Sequence, residues 1–328
     1  MCRFWFTLAL LFQLALFPSA HSLSKSVKND DNFPLPPTEF LRLLRFSDFE
    51  ILSEEGTQHG MTGATKWTVS FAQGPQKIEV KWKKSPKMFG EGWNNSPRRE
   101  IAAYKIQELF LDPPDYLVPP VASRCIPIEQ FQKLKPKAEP NLSGGFNCVY
   151  GVLSGWLKNV TLTHPVLDKK RFETDRFYAL SMANANLLCY LINHQDTVDD
   201  NFLISTVKGR PRVFSIDNGI SFHWEFHNFF IDQLNEIRVP ALPKRTIERL
   251  RKVNDADLEK LGVVEQLEAD DKGILRHVEP GENFQPSIGS RLRGKTLQIG
   301  LTRFEIDKVK ERIQKLLQEV DQGKWPLI

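Results

Sequence analysis

The stretch that most constrains this chain is NHQDTVDDNFLISTVKGRPRVFSIDNG, residues 193–219. FLIST (202–206) alternates apolar and polar side chains, KGRP (208–211) has the composition of a turn, and RVFSI (212–216) is rich in β-formers. The pattern predicts a hairpin. Two strands joined by a tight turn return their far ends to one place, so Asn201 and Asp217 are expected to be neighbours, with Asp196 just upstream. An amide and two carboxylates then converge at the open end of the hairpin. Asp199 and Asp200 belong to the same run, but such residues ordinarily face solvent or cap a turn, and they are left out of the candidate site.

Composition narrows the class of protein. With 328 residues, 41% hydrophobic and 26% charged, the chain has the make-up of a globular protein large enough for two lobes. A net charge of +4, from 44 basic and 40 acidic residues, is too mild for nucleic acid, and no basic block alternates with aromatics. The first 22 residues, MCRFWFTLALLFQLALFPSAHS, set Arg3 before an apolar run from Phe4 to Phe17 and end on small residues. That layout predicts a secretory signal peptide over 1–22; the run falls short of the roughly 20 residues of a spanning helix. The expected location is the secretory pathway: secreted, in the Golgi or ER lumen, or periplasmic or extracellular in a bacterial host. Stable membrane insertion is not expected. Of the remaining cysteines, Cys125 and Cys148 flank a polar loop and are expected to pair, leaving Cys189 as a buried thiol in an apolar run. NLS (141–143) and NVT (159–161) are glycosylation sequons.

Residues 23–37 are polar, contain prolines and read as an N-terminal tail. From 38 to 157 the chain is mostly strand-like around one helix, SPRREIAAYKIQELFL (96–111), amphipathic by pattern, with Ser96 as N-cap and Pro97 in its first turn. Gly56, Gly60 and Gly63 lie between two β-rich runs, followed by the strand KIEVKWK. From 158 to 328 the pattern turns helical: DRFYALSMANANLLCYLINH leads into the acidic run, and KRTIERLRKV, DADLEKLGVVEQLEA and TRFEIDKVKERIQKLLQEVDQG follow. The last opens on a capping box, Thr302 with Glu305, and stops at Gly323. The expected fold class is α+β and bilobal: a β-rich N-lobe with one helix, then a helical C-lobe.

In chain order, the polar residues that stand out are Lys81 on the strand IEVK, Glu100 in the lone helix, then Asp196, Asn201 and Asp217. This order resembles that of a protein-kinase phosphotransfer site. More narrowly, the run resembles the atypical kinases of the secretory pathway, the Golgi casein kinase and four-jointed group, and also the type II phosphatidylinositol 4-kinases. The lipid kinases show D-x-x-x-D-N-W-L-I and I-D-N-G-x-x-F, where this chain has DTVDDNFLI from Asp196 and IDNGISF from Ile216. The secretory kinases are the better match upstream: REIAAYKIQELFLDPPDYLVPPVASR (99–124) is similar to their E-I-A-A-F helix, V-P-P segment and arginine. The likeness runs from about residue 50 to 225.

The resemblance implies an atypical protein-kinase-like fold and transfer of the γ-phosphoryl group of ATP, with Mg²⁺ or Mn²⁺, to a protein Ser/Thr or glycan hydroxyl. It implies that Lys81 binds the nucleotide phosphates, that Glu100 anchors the lysine or contacts the metal site, and that Asp196 is the base. Asn201 and Asp217 would be the hard-oxygen metal ligands. Gly60 and Gly63 would turn backbone N–H groups toward the phosphates. Two departures leave alternatives open. VKWKK (80–84) lacks the usual Ala-x-Lys context, so Lys83 or Lys84 competes with Lys81; alternation puts Lys83 on the face of Lys81 and Lys84 opposite. Asn218 follows Asp217 where typical protein kinases have Phe, so their activation-loop regulation is not implied. The alternative functions are a phosphatidylinositol-kinase-like lipid kinase, or a nucleotide-binding pseudokinase that supports a partner kinase. HWEFH (223–227) lacks the Glu directly after the first His that zinc proteases need, and no G-x-S-x-G elbow occurs.

Overall fold

A computed structural model describes residues 31–57, 63–74, 77–87, 96–162, 164–222 and 234–328. The proposed signal peptide, Gly60 and HWEFH lie outside these residues.

Among the described residues the first element is a helix absent from the sequence reading, α1 (Pro37–Phe46), whose Phe40, Leu41, Leu43 and Leu44 are buried at helical spacing. Strands β1 (Phe49–Gly56), β2 (Thr65–Phe71) and β3 (Ile78–Lys84) follow, then α2 (Pro97–Phe110), β4 (Val121–Pro127), a short α3 (Ile128–Gln132) and β5 (Cys148–Gly155). The five strands form one antiparallel sheet in the order β1-β2-β3-β5-β4. Val80 and Trp82 of β3 face the core, where the Trp82 ring stacks on Trp67 with centroids 4.8 Å apart. Gly151 of β5 lies opposite Lys84, and a Cβ there would meet the Lys83 carbonyl at 2.5 Å and the Trp82 ring. Only glycine lets β5 approach the lysine strand this closely.

The expected helix at 96–111 is present, but its surroundings differ. Eleven of its fourteen residues are buried, so α2 is an enclosed helix and not an amphipathic one lying on a surface. Ser96 sits at the N-cap position and makes no side-chain capping bond. The α2 N-terminus is instead pinned by Arg98 and Arg99, both of which donate to the Glu305 carboxylate.

The hairpin forms as expected. After β6 (Val160–Leu162), α4 (Lys169–Thr174) and α5 (Arg176–Ile192), strands β7 (Phe202–Ser205) and β8 (Val213–Ser215) pair Phe202 with Ser215 and Ile204 with Val213. Strand β6 adds the third member of this sheet. Helix α5 is capped at its start by Asp175, which accepts from the Tyr178 N–H, and ends on Asn193 in the left-handed conformation.

The later helices need one correction. Helices α6 (Lys244–Leu250) and α7 (Asp255–Glu259) form, but the predicted helix over DADLEKLGVVEQLEA ends after α7. Beyond a 3-10 turn, Glu265–Ala269 is strand β9. With β10 (Leu275–Val278), β11 (Ser290–Arg293) and β12 (Thr296–Ile299) it makes a four-stranded sheet in the order β10-β9-β12-β11. This sheet packs on β4: the Glu265 carboxylate accepts from the Ser123 N–H and hydroxyl, and the Leu275 N–H donates to Cys125 Sγ. Helix α8 (Arg303–Asp321) carries the expected Thr302/Glu305 capping box, and Gly323 beyond it is left-handed.

Cys125 and Cys148 are joined, and Cys189 is a buried free thiol whose pKa is pushed far up by burial. The bond spans a sequence separation of 23 residues. Chain-entropy arguments put the loss on replacing both cysteines by serine at about 3 kcal/mol. A urea titration should show that shift, and non-reducing peptide mapping should find Cys189 unbridged; a bridged Cys189 would refute the assignment. No helix among the described residues is long and apolar enough to cross a membrane.

Candidate active site

Four segments deliver the polar residues to one place. Strand alternation turns Lys81 and Lys83 away from the Trp67–Trp82 core. Helix α2 brings Glu100, the loop after α5 brings Asp196, and the open end of the β7–β8 hairpin brings Asn201 and Asp217. The hairpin closes as expected: the Ile216 N–H donates to the Asn201 carbonyl at 2.9 Å.

The lysine assignment shifts. Glu100 is paired with Lys83, at 3.5 Å, and not with Lys81. Lys83 Nζ also donates to Asp217 Oδ1 at 2.6 Å, whereas Lys81 Nζ stands 3.7 Å from Asp217 Oδ2. The side chains are 3% exposed for Lys83 and 20% for Lys81, so Lys83 is the buried hub and Lys81 the outer charge. Lys84, on the opposite face, is exposed.

Charge and burial oppose each other here. Burial works against the Lys83 ammonium, but Glu100 and Asp217 outweigh it and raise its pKa. Burial raises the Glu100 pKa; Lys83 offsets this only in part, and Asp217 adds to it. Burial also acts on Asp217, yet Lys81 and Lys83 together hold that carboxyl well below the usual range. Asp217 is thus the firm anion of the cluster. Its backbone is left-handed, with φ +58°, a costly conformation for a residue with a side chain and one that recurs at functional sites. The Ser215 hydroxyl, donating to Asn218 Oδ1 at 2.8 Å, clasps the turn that imposes it.

Asp196 and Asn201 form the second half of the site. Asn201 Nδ2 donates to the Asp196 carbonyl at 2.8 Å and to Asp196 Oδ2 at 2.9 Å. With its amide nitrogen committed, Asn201 has only Oδ1 to offer a cation, and Asp196 keeps Oδ1 for another donor. Gly60 lies outside the described residues. Gly63 is left-handed at φ +70° and leads into β2, whose Thr65 pairs with Trp82, at the end of β3 that carries the lysines.

One contributor escaped the sequence reading. His194 is fully buried, and its Nδ1 accepts from the Asp196 N–H at 3.1 Å. Burial pushes its pKa down to about 4 against the pull of Asp217, so the ring is a neutral support beneath the Asp196 loop. The signal was there in His194-x-Asp196, the spacing of H-R-D in kinase catalytic loops. Asp199, by contrast, accepts from the His164 ring and the Val166 N–H, as a capping residue does.

The donor set suits a hard divalent cation. It offers the Asp217 carboxylate and the Asn201 amide oxygen, with the buried Glu100 beside them, its Oε1 3.5 Å from Lys83 Nζ. Among the described residues no group of three or more His, Cys, Asp or Glu is placed to hold a metal ion by itself. A cation here would need oxygen ligands from a substrate or water.

The fold is α+β, with a five-stranded antiparallel sheet in its first half and helices with two smaller sheets in its second. No family model matches the chain, and no curated protein matches it. Similar solved structures include two of the Golgi casein kinase. One is a crystal structure of the Golgi casein kinase, with a TM-score of 0.49 and 14% identity over 86% of this chain and 74% of that one. The other is the Golgi casein kinase with Mn/ADP bound, with a TM-score of 0.49 and 15% identity over 86% of this chain and 75% of that one. Identities this low carry no residue roles across, and the chemistry of the site rests on its own geometry.

Proposed function

We propose that the protein is an atypical kinase of the secretory pathway that moves the γ-phosphoryl group of ATP to a protein Ser/Thr or glycan hydroxyl. The observation that carries the reading is the division of the site. A buried lysine, Lys83, is held between Glu100 and Asp217, while Asp196 is fixed by Asn201 with one carboxylate oxygen left to accept. In this reading Lys83 and Lys81 neutralise the nucleotide phosphates. Asn201 and Asp217 would hold Mg²⁺ or Mn²⁺, which when bound neutralises charge on the phosphate oxygens. Asp196 orients the acceptor hydroxyl and takes its proton as the oxygen–phosphorus bond forms and the bond to the β–γ bridging oxygen breaks. The apolar segment Phe4–Phe17 and the Cys125–Cys148 disulfide support the compartment.

The test is incubation of the full chain with γ-labelled ATP and Mn²⁺ or Mg²⁺ over separate protein, glycan and lipid pools. Label in the lipid pool alone would replace the acceptor class. Nucleotide binding with neither transfer nor ATP hydrolysis would leave a pseudokinase.

The charge balance gives a second test that needs no acceptor. Two lysines already face Asp217 and Glu100, so a divalent cation alone meets repulsion that a triphosphate relieves. ATP with Mn²⁺ should therefore raise the melting temperature by mass action, and Mn²⁺ alone should do much less. Asp217→Ala or Asn201→Ala should abolish the ATP–Mn²⁺ shift. An undiminished shift in the Asp217 variant would contradict the ligand assignment.

A further inference from the structure

The hairpin that carries Asn201 and Asp217 at its open end has its closed end in a separate cleft. Arg210 and Arg212 of the turn, with Arg245 and Arg249 on α6, line a space of about 310 Å³. The cleft shares no lining residue with the Asp196 site. It borders α5 from Phe177 to Asn184, and about 12 Å of helix runs from there to Ile192, beyond which Asp196 follows.

The polar groups that line this cleft are mostly donors, and its formal charge is positive, four arginines against two aspartates. Four arginines and two carboxylates, Asp112 and the exposed Asp115, line it; Arg212 is buried, donates to the Tyr116 carbonyl and lies over the Phe33 and Phe214 rings, so Arg210, Arg245 and Arg249 are the guanidinium groups nearer solvent. Asp112 is already engaged by both Arg245 and Arg249. Arg210 is exposed and forms no ion pair among the described residues. Asn184 is 9% exposed, and its Oδ1 accepts from the Thr246 hydroxyl at 2.8 Å, so only its N–H groups remain for the cleft. Ser181 Oγ accepts from the Val213 N–H, which leaves its O–H to donate. The rest of the wall is apolar, including Phe110 and Leu180, and Phe177 stands 67% exposed at the rim.

An excess of cationic donors matches an anionic ligand rich in acceptors. Guanidinium groups from separate segments suit a phosphoryl group, whose three oxygens engage several forks at once; one bidentate arginine already satisfies a carboxylate. A dianion is also what competes with Asp112 for Arg245 and Arg249. The exposed Phe177 ring beside the arginines offers a stacking face for an aromatic body. The volume is at the lower end of small-molecule sites. The geometry points to a binding site for a small aryl phosphomonoester, distinct from the Asp196 site and independent of the reaction performed there.

Phenyl phosphate is the probe, with inorganic phosphate and phenol as its separate halves, on the full chain. Phenyl phosphate should saturably protect Arg210 and Arg245 from phenylglyoxal, read residue by residue by mass spectrometry, and the two halves should protect them far less. Residue-level reading separates this cleft from phosphate held by Lys81 or Lys83. Calorimetric affinity should fall by about tenfold or more in the double variant Arg210→Ala/Arg245→Ala, which loses charge-assisted hydrogen bonds at exposed positions. Phe177→Ala should bring phenyl phosphate down to the level of inorganic phosphate. Equal protection by inorganic phosphate would mean an adventitious anion only and would overturn the proposal. So would binding undiminished in the double variant.

Discussion

Replacing Lys83 with alanine is expected to cost about 3–5 kcal/mol of folding stability, because it strands the buried Glu100 without its partner. The corresponding change at Lys81, whose side chain is 20% exposed and 3.7 Å from Asp217, should cost no more than about 1 kcal/mol. Urea titrations of both variants would read the difference. The Lys83→Ala deficit should also depend on pH. The Glu100 pKa is already raised by burial in the folded protein, and loss of Lys83 raises it further. In the window between the unfolded carboxyl value and the raised folded one, the folded state binds more protons than the unfolded state. Stability of the variant therefore falls as pH rises through that window, and its deficit is smaller at pH 5 than at pH 8. Should Lys83→Ala fail to fold, Lys83→Met/Glu100→Gln removes both charges and should recover much of the loss. A Lys83→Ala variant as stable as wild type at pH 8 would show that the ion pair holds nothing.

Asp196→Ala should lower turnover by roughly 10²–10⁴ while leaving the ATP–Mn²⁺ melting shift largely intact, the scale for losing a positioned base. The expectation follows from the division of the site: the Asp196 carboxylate is held by Asn201 Nδ2, and Asp217 is held by the lysines. ATP hydrolysis without acceptor is a sufficient readout. Full activity in the variant would remove Asp196 from the mechanism. Loss of the melting shift together with turnover would move it among the groups that bind nucleotide and metal.

What could be read in the chain was local. FLIST-KGRP-RVFSI carries its own turn and its own alternation, so the meeting of Asn201 with Asp217 needed no tertiary information. The Thr302/Glu305 capping box and the length of α5 were legible for the same reason, since capping and apolar spacing act within a few residues. The stretch 255–269 shows the limit. Asn254 with Asp257 caps a helix that begins as expected, but β10 and β12 then claim Glu265–Ala269 as a strand. The apolar positions of Val-Val-Glu-Gln-Leu, at i, i+1 and i+4, fit helical spacing, and pairing with the partner strands overrides it.

The lysine was decided the same way. Alternation along VKWKK put Lys81 and Lys83 on one face, and nothing within the strand ranks them. The ranking comes from how deeply α2 is enclosed, and that depends on Arg98 and Arg99 meeting Glu305 some two hundred residues away. So the sequence by itself determined which residue types converge: the carboxylates of Asp196 and Asp217, the amide of Asn201 and a strand lysine facing a helix glutamate. The tertiary structure decided which lysine is buried against Glu100 and placed a neutral His194 beneath Asp196. The physical reason is that spacing sets the direction of a side chain, whereas burial and ion pairing depend on segments that become neighbours only after the chain has folded.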